Sequence, residues 1–161
     1  MIERIEPLGP QHDRGAFSCG VVEIDDFLKA YNTELSAPAH RIYVAADEAS
    51  QILGYYALRP AVWEARNKHG QRVSTVELEL AMVGVAQAFQ GKRLVGARLV
   101  FDAFEKVLDV VAITGGIERF GVGPLNDRCR SFYERAGFIQ LDNIKRMYIS
   151  IGEIADAFAL E

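Results

Sequence analysis

Tyr133 is the side chain in this sequence best placed to give up a proton, and its neighbours say how it would be held. It lies in the run Asn126-Asp127-Arg128-Cys129-Arg130-Ser131-Phe132-Tyr133-Glu134-Arg135-Ala136-Gly137-Phe138. Asn126 and Asp127 are good N-cap residues, Gly137 is the usual left-handed stop, and Ile139 and Leu141 on either side of Gln140 continue as an alternating strand. The spacing predicts a helix of about three turns that feeds a strand. A phenol has an ordinary pKa of about 10, so at neutral pH it is a proton donor and not a base. It suits a leaving group that departs as an anion. The other reading its residue type permits is a core aromatic with a satisfied hydroxyl.

A second segment, Gln90-Gly91-Lys92-Arg93-Leu94-Val95-Gly96, follows an apolar run and precedes an amphipathic one. A loop whose backbone N–H groups converge at a helix N-terminus binds phosphate, because unpaired donors and the helix dipole both favour an anion. Arg93 would add a charge there. An ordinary strand-to-helix connection is the plain alternative. Other chemistry is poorly represented. His12, His40 and His69 have no metal-ligand spacing and are expected at the surface or in caps, and no Ser–His–acid or Cys–His arrangement is readable. Cys19 and Cys129 lie far apart and read as small core or helix residues. No metal and no disulfide is expected. Glu77 and Glu79 share one face of a strand, where a carboxylate could relay a proton from an amine through water or simply face solvent.

These residues need elements to position them. At 161 residues the chain is expected to form a single domain, 1–161, able to bury its own core. Residues 2–8 read as an edge strand, and Ile24, Phe27, Leu28 and Tyr31 recur at helical spacing before Pro38. Residues 41–46 and 51–58 read as a hairpin around Asp47-Glu48-Ala49-Ser50. Residues 60–73 carry little periodicity and are read as a loop with one helical turn near 61–66. Residues 76–85 are a strand entering the core. From Gly96 onward Leu99, Val100, Ala103, Phe104, Val107, Leu108 and Val111 repeat at three and four, a long helix with one buried stripe. A strand over 117–122, the Asn126 helix, and a closing hairpin of 138–141 with 146–151 complete the order. The tail, 152–161, has Ile154, Ala155 and Phe158 at helical spacing, to pack on the body or on another subunit.

Formal net charge is −4, which argues against a wholly basic nucleic-acid coat. Locally the balance reverses. Arg59, Arg66, Lys68 and Arg72 stand against Glu64 alone, and Lys92, Arg93 and Arg98 cluster without an acid. No apolar run approaches the ~20 residues of a membrane helix, and no signal segment is read, so the cytoplasm is the expected compartment.

Read together, the two motif segments resemble the GNAT superfamily of acetyl-CoA-dependent N-acetyltransferases. Asn126, Phe132, Tyr133, Gly137 and Phe138 match that family's second motif, with Cys129 where Ala is common. Gln90 fits the loop motif, while Arg93 and Val95 occupy two positions that are usually small. The resemblance implies an α/β (α+β) fold, with a central mixed, mostly antiparallel twisted sheet of about six or seven strands flanked by about four helices. It implies acetyl-CoA as cosubstrate, held by the backbone of Val83, Gly84 and Val85, by Gln90, Gly91, Lys92, Arg93, Leu94, Val95 and Gly96, and by Asn126 and Phe132. Asn126 would contact the pantetheine arm and Tyr133 would face the departing sulfur. Gly84 either lets the pantetheine approach closely or marks a bulge.

The N-terminal half resembles more narrowly the TacT-type toxin acetyltransferases, through His12-Asp13, Phe17-Ser18-Cys19-Gly20, Ile24-Asp25-Asp26-Phe27-Leu28, Arg41-Ile42-Tyr43-Val44-Ala45 and Gly54-Tyr55-Tyr56-Ala57-Leu58. That resemblance implies acetylation of the free α-amine of aminoacyl-tRNA and a ribbon-helix-helix antitoxin as partner; a homodimer is a separate expectation. An α-amine beside an ester is readily deprotonated near neutral pH, so placement and an acid would suffice. A GNAT enzyme acting on a small amine or a protein N-terminus, and an acyl-CoA-binding module without turnover, are the competing expectations.

Overall fold

The strand and helix periodicities become seven strands and four helices in the computed structural model, which describes residues 2, 4–91, 94–140 and 145–159. In chain order these are β1 (Arg4–Pro7), α1 (Val22–Ala30), β2 (Arg41–Ala46), β3 (Ile52–Arg66), β4 (Arg72–Val85), α2 (Val95–Thr114), β5 (Arg119–Val122), α3 (Asp127–Arg135), β6 (Ile139–Gln140), β7 (Met147–Ser150) and α4 (Ile151–Ala159), with a 3-10 turn at Gln87–Phe89. One sheet takes the order β1-β2-β3-β4-β5-β7-β6. It is mixed. β4 and β5 run parallel from Glu77↔Arg119 to Leu80↔Val122, while β1–β2, β2–β3, β5–β7 and β6–β7 are antiparallel. A βα crossover through α2 is what a parallel neighbour requires.

The chain divides into two compact units, Met1–Leu58 with Ala81–Ala103, and Arg59–Leu80 with Phe104–Glu161. In the first, Phe17, Cys19, Leu28, Ile42, Val44, Ile52, Tyr55 and Ala57 form a buried cluster, and Ile24, Phe27 and Tyr31 of the α1 stripe pack on it. The turn 47–50 is tied by Asp47, whose Oδ1 accepts from the N–H groups of Ala49 and Gln51. The second unit is aromatic at its centre. The rings of Phe104, Phe120 and Phe138 sit 5.7–5.9 Å apart, and Ile154 of α4 is fully buried, so the tail helix packs on its own chain at that residue. None of the helices among the described residues is long and apolar enough to cross a membrane.

Three expectations are corrected. Residues 60–73 are not a loop with a helical turn: β3 continues to Arg66, turns through 67–71, and returns as β4. The turn is closed by Asn67, whose N–H bonds the Gln71 carbonyl at 2.9 Å and whose Oδ1 accepts from the N–H groups of His69 and Gln71. Every residue from 64 to 74 is exposed. With both faces in water there is no in/out alternation to read, and the ribbon is held by strand-to-strand hydrogen bonds.

His12 is buried and not at the surface. Its Nδ1 accepts from the Gly9 N–H at 3.0 Å, which leaves Nε2–H to donate to Glu6 Oε1 at 2.8 Å. His40 is half-buried, edge-on to Phe27, and His69 is exposed in the turn.

Glu77 and Glu79 do not face solvent: they are 1% and 9% exposed. Glu77 meets Arg146 Nη2 at 2.8 Å and Arg119 Nε at 3.3 Å, and Glu79 takes the Arg59 guanidinium at 3.0 Å. A buried carboxylate persists only when it is paired and hydrogen-bonded, and these arginines supply that. Gly121, opposite Glu79 in the ladder, is what lets Glu77 in, since a Cβ there would lie 2.1 Å from Glu77 Oε2.

Candidate active site

The first unit carries the loop expected to bind phosphate. β4 pairs with β5 only as far as Leu80, yet continues as strand to Val85. The Ala86 N–H bonds the Leu53 carbonyl, so residue 86 faces β3; with the alternation of a strand, Gly84 does too, and Val83 and Val85 turn their N–H groups to the opposite edge. Those two donors are what an acyl carbonyl would need. Gly84 is buried, and a Cβ on it would come within 2.7 Å of Ile24 Cγ2 and 3.3 Å of Phe17 and Tyr55. The glycine thus makes room for α1 and the core beneath it.

Gln90 anchors the loop through its side chain. Its Nε2 donates to the Cys19 carbonyl at 2.6 Å and to the Val85 carbonyl at 2.8 Å, and the Gln87 N–H bonds the Ser18 carbonyl. Gly91 and Leu94 both adopt left-handed φ, +68° and +56°. A leucine there is uncommon and strained, and such residues persist where the surroundings impose them, often at binding sites. Leu94 is also the residue before α2, its carbonyl accepting from the Arg98 N–H at 3.0 Å. The first N–H groups of this 20-residue helix have no partner within the helix, and no acid in the first turn neutralises them. Lys92 and Arg93 lie outside the described residues.

Val95, at a position where a small residue was expected, is 1% exposed. Its side chain turns into the core beside Gly54, whose added Cβ would be 3.1 Å from Val95 Cγ1, 2.8 Å from Leu99 Cδ1 and 2.9 Å from the Gly84 carbonyl oxygen. The side chain is therefore directed away from the face a phosphate would use, and only the backbone of Val95 and Gly96 is offered. Sequence reading missed Gly54, although a glycine inside a strand is a signal of close approach. Gly54→Ala should cost about 1–3 kcal/mol by overpacking, read as a lowered denaturation midpoint at unchanged slope. Acetyl-CoA affinity should fall with it, because Leu99 and Val95 begin the helix. A midpoint equal to wild type would mean the strand simply gives way.

The second unit carries α3. Asn126 caps it, with Oδ1 accepting from the Cys129 N–H at 2.9 Å, and Gly137 ends it at φ +104°. Phe138 is drawn back by its N–H to the Tyr133 carbonyl at 3.0 Å. Tyr133 is 7% exposed, its ring edge-on to Phe132 and Phe138 at 5.3 and 5.5 Å. Burial, and then the Cys129 thiol if it ionises, push its phenol above the ordinary range, so it holds its proton throughout the physiological range. Phe132 is half-buried and Asn126 exposed. Sequence reading did not find the cluster of Trp63, Arg59, Arg119 and Arg146 around Glu77 and Glu79; the alternation of acids with Val76, Leu78 and Leu80 was its one local sign.

Known proteins agree with this architecture. The chain is 27% identical over 170 residues to a probable toxin TacT of Sinorhizobium fredii (strain NBRC 101917 / NGR234), covering 93% of this chain and 92% of that one. Solved structures of the toxin AtaT are among those this chain resembles. One is a mutant form bound to the C-terminus of the antitoxin AtaR, at 26% identity and TM-score 0.81, covering 98% of each chain. AtaTR bound with AcCoA is 25% identical, TM-score 0.81, covering 96% of this chain and 97% of that one. AtaT complexed with acetyl-methionyl-tRNAfMet shares the fold at 24% identity and TM-score 0.79, covering 96% and 98%. Residues 11–138 match the model of the acetyltransferase (GNAT) family, a span that takes in the α2 loop and ends on the α3 stop, and the chain belongs to that family.

Proposed function

We propose that this chain transfers the acetyl group of acetyl-CoA to the α-amine of aminoacyl-tRNA, as the toxin of a toxin–antitoxin pair, and that it works as one GNAT domain. The observation that carries the reading is the likeness to TacT along nearly the whole of both chains, joined by the likeness to AtaT, which is known with AcCoA and with acetyl-methionyl-tRNAfMet. The partner proposed by the same route is an antitoxin, since AtaT is known bound to the C-terminus of AtaR. A ribbon-helix-helix form for that antitoxin, a homodimer, and a cytoplasmic setting are parts of the same proposal.

In this reading the N–H groups opening α2 receive the pyrophosphate, with Gln90 holding the loop in shape and Gly91, Leu94, Val95 and Gly96 presenting backbone to it. Lys92 and Arg93 add charge. Val83 and Val85 donate to the acyl carbonyl oxygen, Gly84 keeps the strand seated between them, and Asn126 and Phe132 line the pantetheine arm. The amine lone pair adds to the thioester carbon, its spare proton passes to water, and the C–S bond then breaks with its electron pair on sulfur. Tyr133 donates to that sulfur and is reprotonated from solvent. The raised phenol pKa keeps Tyr133 protonated at neutral pH, as a donor must be. No strong base is required, because an α-amine is largely free near neutral pH.

Calorimetry with acetyl-CoA should give saturable binding that analogues lacking the 3′-phosphate weaken. Absence of heat and of any thermal shift at millimolar ligand would remove the cofactor. The acceptor is tested with radiolabelled acetyl-CoA offered to charged tRNA, uncharged tRNA and polyamines in parallel. Label confined to charged tRNA, and released with the amino acid by alkali, is the expected result; label on polyamines instead would move the reading to a small-amine acetyltransferase.

A further inference from the structure

The tip of the β3–β4 ribbon is exposed and basic. Arg66, Lys68 and Arg72 stand there against Glu64 alone, in a chain of net charge −4, while Arg59 at the base of the ribbon is paired with Glu79. Its tip is braced by its own groups. Arg66 Nη1 donates to the Gly70 carbonyl at 2.7 Å, and Asn67 Nδ2 donates to Gln71 Oε1 at 2.9 Å. Its base is braced by the buried carboxylates. Arg59 reaches Glu79 through Nε and Nη2, and the Arg146 guanidinium, bonded to Glu77, lies 4.1 Å over the Trp63 ring. A two-stranded ribbon exposed on both faces at its tip is marginal alone, and this clamp braces its base.

The cations are poorly neutralised. Lys68 has no ion pair among the described residues, and Arg72 faces Glu64 at 3.7 Å with both side chains more than half exposed. From Arg59 to Arg66 the strand spans roughly 23 Å, so its charges are spread along a line. Val62 and Val73 are the exposed large hydrophobic residues on the ribbon. A protein partner needs a buried apolar or aromatic anchor, whereas a phosphate backbone needs spaced cations and nothing apolar.

We infer that the ribbon formed by β3 and β4 is a docking surface for the sugar–phosphate backbone of RNA, set by Arg66, Lys68 and Arg72 at its tip, and that it seats the helical part of a charged tRNA. The identity of that RNA rests on the function proposed above; the presence of a polyanion surface does not.

The test uses the full chain with Lys68→Glu and Arg72→Glu together, which spares the Arg66 bond that closes the turn, and Lys68→Arg as the charge-keeping control. Acetyl-CoA affinity and the denaturation midpoint check that the double variant is folded. Binding of labelled aminoacylated tRNA is measured against salt, and acetylation is measured on aminoacylated tRNA and on an aminoacylated CCA trinucleotide. The wild type should lose affinity steeply with salt, and the double variant should flatten that slope by about two units. Its KM for charged tRNA should rise tenfold or more with kcat kept, and its rate on the trinucleotide should be unchanged, while Lys68→Arg behaves as wild type. An unchanged slope and KM would overturn the docking surface while leaving the acetylation reading in place. Loss of binding to an acidic antitoxin peptide with the RNA slope intact would overturn it in favour of a protein site. If the wild type acetylates neither substrate, the function fails, and the salt slope alone then decides the ribbon.

Discussion

Tyr133→Phe should lower kcat by about 10²–10⁴ while leaving the fold and acetyl-CoA affinity as they are. The substitution removes one oxygen and keeps the ring, and the ring is what packs against Phe132 and Phe138. A pH profile sharpens the result. A general acid must be protonated to act, so activity it supports is lost as pH rises through its pKa; because burial raises the Tyr133 pKa above the ordinary value of about 10, that loss should fall above pH 10. Any rise of rate up to about pH 8 belongs to deprotonation of the acceptor amine and should survive in the variant. Unchanged kcat would return Tyr133 to a packing role. A wild-type alkaline fall near pH 9 that the variant lacks would contradict the direction of the shift.

Glu77→Ala should destabilise the chain by about 3–5 kcal/mol, the range found when one partner of a buried ion pair is removed. Glu77 is 1% exposed and shared by Arg119 and Arg146, whose side chains are 18% and 14% exposed. With it gone, Arg146 keeps Glu79 at 3.7 Å and Arg119 loses its carboxylate. At this chain length each kcal/mol corresponds to roughly 2–4 °C in Tm, so the loss should be plain in a melt. The chain has a single tryptophan, and Arg146 stacks on it, so Trp63 fluorescence should report the same transition locally. Glu77→Gln, which keeps the shape and one acceptor, should cost less. A loss below about 1 kcal/mol for the alanine variant would class the cluster with exposed pairs.

What the sequence determined by itself is what local chemistry encodes. The Asn126 cap and the Gly137 stop bound α3 within one residue of where the structure ends it, because capping is a contact over three or four positions. The α1 and α2 stripes and the 41–58 hairpin were legible for the same reason: a buried face leaves a period in the sequence. Tyr133 on α3 and the loop before α2 were visible as motifs, since spacing along the chain carries them.

Tertiary structure decided the rest, wherever the partner lies far along the chain. The ribbon over 60–73 shows no alternation because neither face is buried at its tip, and its strands exist by pairing with each other. Glu77 and Glu79 look like a wet face until Arg119 and Arg146, some 40 and 70 residues on, arrive to neutralise them. Val95 reads as an intrusion in a phosphate loop until Gly54, on another strand, makes the hollow that takes its side chain. Gln90 reads as part of a loop motif, and only the fold shows its amide tying that loop to the Cys19 and Val85 carbonyls. Burial and pairing are properties of neighbours in space, and a linear pattern records only the neighbours in sequence.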